Sequence, residues 1–261
     1  MVILFFVVAF LASIIGAICG IGGGVIIKPV LDLLEMGSVT TINFLSGCTV
    51  LSMSLYSVGK SIINRNAGLD IKTGTPLAIG AAVGGVAGKE LFALIRGLFV
   101  KPEMVGGVQA ICLGVITAGT LVYALFKSQI KTHTIKAKPV CLMIGLLLGL
   151  MSSFLGIGGG PINLVVLYYL FSMDTKTAAA NSLYIILFSQ LASLLATVLT
   201  GSIPSFSVTS LLLMVVGGIG GGIVGRAFNK KLDNKDVDKL FIGLMIVIIL
   251  ICVLNAWKGL F

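Results

Sequence analysis

The feature that most constrains this chain is its succession of apolar runs, several longer than the roughly 18 residues that suffice to cross a bilayer as a helix. Eight hydrophobic units can be marked, at roughly 2–36, 40–60, 73–96, 103–126, 139–172, 176–199, 207–227 and 238–257. No polar stretch between them is long enough for a soluble domain. Charged residues make up 10% of the 261 positions and the mean hydropathy is +1.15. A soluble domain carries about 25% charged residues, so a soluble globular enzyme is excluded. Disorder is excluded by the same apolar content. The runs are continuous and do not alternate apolar with polar residues, which argues against a membrane β-barrel. The expected fold is an all-α, polytopic transmembrane helix bundle.

The net charge of +9 does not form a stripe, and no recognition motif accompanies it, so no nucleic-acid partner is expected. Cys19, Cys48, Cys112, Cys141 and Cys252 all lie inside apolar segments without a CxxC or Cys/His pair. Neither a disulfide framework nor a metal site follows, and no cofactor is expected. The first segment lacks a basic n-region and reads as a retained membrane segment, not a cleaved signal peptide.

Two units, the first and the fifth, are too long for one ordinary span. Each is interrupted by a glycine cluster, Gly20-Ile-Gly-Gly-Gly24 and Gly156-Ile-Gly-Gly-Gly160. Glycine costs about 1 kcal/mol per residue in a helix interior, so four in five positions predict a broken or re-entrant element. The clusters also anchor an internal repeat. At an offset of 136, Gly20–Gly24 align with Gly156–Gly160, Ser46 with Ser182, and Gly84-Gly85 with Gly220-Gly221. One residue of slippage then matches Gly88-Lys89 with Gly225-Arg226. Residues 1–126 and 139–261 read as two transmembrane repeats joined by the basic linker 127–138. Duplication on this scale is characteristic of secondary transporters.

If the first and fifth units return to the side they entered, the loops at 60–72, 127–138, 173–176 and 226–239 share one face. That face holds thirteen Lys and Arg, against Arg96, Lys101 and Lys258 on the other. This is the expected positive-inside asymmetry. It makes the halves inverted copies and puts both termini outside.

The glycines are also where chemistry is expected. GIGGG lacks the strand-to-helix setting and the Lys-Ser/Thr ending of a phosphate loop. The GxxxG spacings at Gly80, Gly84, Gly88 and at Gly217, Gly221, Gly225 read as close helix packing. The paired clusters differ, because non-helical backbone deep in a membrane persists only in protein or beside a wet cavity. Gly22, Gly23 and Gly24, with Gly158, Gly159 and Gly160, would open two half-helices whose free N–H groups form an anion site.

The doubled GIGGG, the basic mid-chain linker and the small-polar stretches Thr41-Ile-Asn43-Phe-Leu-Ser46 and Ala178-Ala-Ala-Asn181-Ser182 resemble the sulfite exporter TauE/SafE family, also called the toluene-sulfonate uptake permease family. The resemblance spans essentially the whole chain, with the first half the more divergent. It implies a multi-pass transporter of the inner or plasma membrane whose partner is a small inorganic or organic sulfur-containing anion.

Polar residues within the apolar units supply neutral donors suited to an oxyanion: Asn43 and Ser46 in one half, Asn181, Ser182 and Gln190 in the other. Interhelical hydrogen bonding is the alternative role for each. Lys28 and Asp32 stand i,i+4 in the second arm of the first unit, where they can pair or act as anion attractor and proton-coupling group. The second repeat has Leu164 and Tyr168 there. A secondary transporter with alternating access around the glycine breaks is the leading reading. A passive anion channel is the alternative, and an intramembrane enzyme is disfavoured for lack of a metal-ligand pair or nucleophile elbow. The substrate's identity and the oligomeric state, homo-oligomer included, stay open at this point.

Overall fold

The structure is a computed structural model that describes residues 2–64, 68–98 and 104–260. Arg65 and Lys101, counted among the loop charges, lie outside the described residues. All regular structure among the described residues is helical: α1 (Val2–Cys19), α2 (Gly24–Leu33), α3 (Val39–Ile63), α4 (Ile71–Leu98), α5 (Met104–Phe126), α6 (Lys138–Phe154), α7 (Pro161–Phe171), α8 (Thr175–Leu199), α9 (Val208–Lys231) and α10 (Asn234–Leu260). Seven of these are long and apolar enough to cross a membrane; α2, α6 and α7 are shorter.

The first and fifth hydrophobic units each become two helices, with the glycine clusters between them. The chain folds back at each. A Cβ on Gly16 would lie 2.5 Å from the Gly23 nitrogen, and Gly23 packs beside Ser13. Further along, Phe5, Ala9 and Ala12 of α1 share a buried cluster with Ile27 and Leu31 of α2. In the second unit the segment entering α6 pairs with the end of α7, through His133 N–H to the Tyr169 carbonyl (2.7 Å) and Ile135 N–H to that of Leu170 (3.0 Å). Pro161 opens α7 at the one position where a missing N–H costs nothing.

Two seams of glycine set the helix packing. Cβ atoms on Gly80, Gly84 and Gly88 of α4 would run into the backbone of Leu142, Leu146 and Leu150 on α6. On α9, Gly217, Gly221 and Gly225 meet Phe6, Phe10 and Ile14 of α1 in the same way. Lipid offers no hydrophobic drive between helices, so close backbone approach supplies the association energy. Large apolar side chains correspondingly face outward, with Ile3 76% exposed and Leu199 84% exposed.

Side-chain contacts mark the two ends of the bundle. At one, Lys258 pairs with Glu35 (2.9 Å), Thr41 donates to the Ser205 carbonyl (3.0 Å) and Lys89 reaches Ser202 (2.9 Å). At the other, which carries the basic loops, Lys127 pairs with Asp238 (2.6 Å) and Asp70 N–H reaches Asn181 (3.2 Å). Outside the spans, the Lys258 hydrogen bond holds the exposed Glu35 carboxyl below its ordinary range.

Candidate functional site: two cavities separated by paired glycine segments

The glycine segments meet in the interior of the bundle. Backbone at Gly20 and Gly22, and at Gly156, Gly158 and Gly159, has positive φ. Glycine adopts that region without the strain a side chain would bring. A Cβ on Gly24 would strike the Ile157 carbonyl, and one on Gly159 would overlap the Ile186 side chain and lie 3.4 Å from the Ile21 carbonyl. Val50 and Ile186, which stand at the repeat offset of 136, close over the two segments: a Cβ on Gly22 would lie 3.5 Å from Val50 Cγ1 and 3.4 Å from Ile186 Cδ1. The N-terminal ends of α2 and α7 therefore adjoin a middle filled by backbone and apolar side chains.

A cavity lies on either side of this plug. The one at the basic end has a volume of about 690 Å³ and is lined by Ser57, Ser61, Lys176, Ala179, Arg226 and Lys230 among others. The one at the opposite end is about 150 Å³, with Asn43, Lys89, Arg96, Gly156, Gln190 and Ser193 among its lining. Gly156 lines the smaller cavity and packs on Asn43, while Gly20 packs on Ala179 in the lining of the larger. Those two neighbours are themselves one offset of 136 apart, as are Ser57 and Ser193.

The residues singled out from sequence divide among five places. Gly22–Gly24 and Gly158–Gly160 form the plug. Asn43 and Gln190 line the smaller cavity; Gln190 also lies against Gly47 and Gly158. Ser46 and Ser182 are fully buried, and their hydroxyls have no partner among the described residues. Asn181 is committed elsewhere: its amide donates to the carbonyls of Gly68 (3.1 Å) and Thr177 (2.8 Å), and its oxygen accepts from Asp70. It ties α8 to the α3–α4 loop and does not reach the glycines. Lys28 and Asp32 are paired at 2.7 Å on another side of α2, beside Gln109, Cys252 and Asn255 and outside both cavities. Lys28 is 3% exposed, so its charge is met within the protein.

Sequence reasoning assigned no role to Ser57 and counted Arg226 among the loop cations, matched to Lys89, with gating or interface snorkelling as its role. The signal that could have found Arg226 is its match to Lys89 at the slipped offset. Its partners, Ser57 and Ser61, are 169 and 165 residues away, beyond any local motif. No cluster of three metal-ligating side chains occurs among the described residues.

A multi-pass helical bundle with cavities entering from both ends has the architecture of a membrane transport protein. The family model described as "Sulfite exporter TauE/SafE" matches residues 5–251, and the chain belongs to that family. It is 25% identical over 272 residues to the probable membrane transporter protein YunE of Bacillus subtilis (strain 168), covering 98% of this chain and 97% of that one. No solved structure matches the chain. The protein is a multi-pass membrane transporter, not an enzyme.

Proposed function

We propose that the protein is a secondary transporter of a small sulfur-containing anion, such as sulfite, a sulfonate or a related oxyanion, working by alternating access. The observation that carries this reading is the pair of cavities at opposite ends, lined by residues at a constant offset and separated by the packed glycine segments. In this reading residues 1–126 and 139–261 are inverted copies, and they move against one another so that the two cavities exchange size. The substrate class is supported by the family's name and by cationic lining at both ends. Asp32 couples the movement to protons from outside the anion's path. The glycine segments are the pivot, where backbone without side chains can slide at small steric cost.

Counterflow in proteoliposomes tests the proposal. Vesicles loaded with an excess of unlabelled anion are expected to take up labelled sulfite, thiosulfate or methanesulfonate transiently and saturably. Linear, non-saturable flux with no stimulation from the far side would instead indicate a passive channel. Exchange of sulfate or chloride with none of the three sulfur anions would overturn the substrate class.

A further inference from the structure

Both cavities carry cations that no ion pair among the described residues compensates. The lining of the larger includes Arg226, Lys176 and Lys230, that of the smaller Lys89 and Arg96, and neither includes an Asp or Glu. The three ion pairs among the described residues all lie elsewhere, at Lys28–Asp32, Lys127–Asp238 and Lys258–Glu35. Arg226 and Lys89 are both half-buried, and their hydrogen-bond partners among the described residues are neutral. Arg226 Nη1 donates to the Ser57 carbonyl and to Ser61 Oγ, each at 2.7 Å. Lys89 Nζ donates to Thr200 Oγ1 at 3.2 Å and Ser202 Oγ at 2.9 Å. Each thus extends from a glycine-seam helix to the far end of the neighbouring helix, α9 to α3 and α4 to α8. They occupy matching positions in the two repeats, at the 137-residue slip that aligns Gly88-Lys89 with Gly225-Arg226.

A second observation points to a ligand at Arg226. Ser57 is 2% exposed, lines the larger cavity, and its hydroxyl has no partner among the described residues. Leaving a buried hydroxyl unmet is costly, and a ligand oxygen beside the guanidinium would meet it. One guanidinium nitrogen is held by α3, which fixes the plane of the group. A planar fork so held suits two oxygens on one central atom.

We infer that Arg226 and Lys89 are equivalent anion-binding residues, Arg226 receiving the oxyanion in the cavity open to the basic end and Lys89 receiving it when the opposite cavity opens. The ligand is a small anion presenting at least two oxygens on one atom. Arg226 and the Ser57 hydroxyl hold it at the basic end. With the cavities at about 690 and 150 Å³, the conformation described here is the Arg226-binding one.

This inference rests on the transporter reading, and the test separates the two. The full chain is purified in detergent, and binding of sulfite, thiosulfate and methanesulfonate is measured by calorimetry, beside counterflow in proteoliposomes. Arg226→Gln is expected to weaken binding roughly 10- to 150-fold, the range for a lost charged hydrogen bond. Arg226→Lys should fall between it and wild type, and Lys89→Gln should lose counterflow. Monodisperse elution and an unchanged unfolding temperature qualify each variant. Should Arg226→Gln not fold, Ser57→Ala takes its place, with an expected loss of roughly 2- to 13-fold. Wild-type exchange with Arg226→Gln binding within about threefold of wild type, or with Ser57→Ala in its place binding within less than about twofold, would overturn the inference and leave the transporter reading standing. No binding or exchange by wild type would remove both.

Discussion

Gly159 shows at one residue how tightly the middle of the protein is built. Its φ of +143° and the Ile186 side chain beside it both exclude a Cβ. Gly160 has an extended backbone, and a Cβ there would meet only the terminal methyl of Ile157, at 3.1 Å. Gly159→Ala is therefore expected to cost about 1–3 kcal/mol, whereas Gly160→Ala should stay within about 0.5 kcal/mol of wild type. Unfolding temperatures in detergent would compare them; equal effects would contradict the packing described. Lys28 and Asp32 give a second contrast. Lys28→Ala leaves a carboxylate unpaired in the interior and should destabilise by about 3–5 kcal/mol. Lys28→Met with Asp32→Asn removes both charges and should recover most of that. The double variant should also keep exchange while losing accumulation driven by a pH gradient; retained pH-driven accumulation would exclude Asp32 from coupling.

At the scale of elements, much was legible in the sequence because glycine and apolar length act locally. The eight runs correspond to the ten helices once each long unit is divided at its glycine cluster. The spacing at Gly80, Gly84 and Gly88 likewise reads directly as a seam, since it repeats every turn. The partner of that seam was not legible: α4 packs on α6 from the other half of the chain, and α1 on α9. Nothing at either position names a partner more than 50 residues away. The same distance hid Arg226 and Ser57, which are brought together only by the packing of α9 on α3. The place of Asn181 was hidden for a related reason, because its loop partners are backbone groups, the Gly68 carbonyl and the Asp70 N–H, which no residue type announces. Gly84→Leu and Gly221→Leu should each separate a helix pair and lower the yield of folded protein severely, since both Cβ atoms would meet backbone that cannot yield. Gly243→Ala, where a Cβ meets nothing within 4 Å, should be neutral or stabilising by up to about 1 kcal/mol.

For the whole molecule, the charge asymmetry predicts which way the bundle sits. The thirteen-to-three division of loop cations expects the 127–138 linker inside and both termini outside. Impermeant cysteine labelling of the linker and of a C-terminal tag in intact cells would decide it, and an external linker would reverse the orientation. That orientation would make the cavity of about 690 Å³ the cytoplasmic one.

The central claim, that a single passage opens at one end as it closes at the other, is tested most directly at Ala180 and Phe44, half-buried residues 136 positions apart that line the larger and the smaller cavity. Cysteines placed there singly, in a background without the five native cysteines, report on the two cavities through reaction with a membrane-impermeant maleimide in proteoliposomes. Without substrate the position-180 cysteine should react and the position-44 cysteine should be protected. Saturating sulfite should shift the two rates in opposite directions. Rates that rise together, or two positions that react at once from both sides, would contradict alternating access and describe a channel.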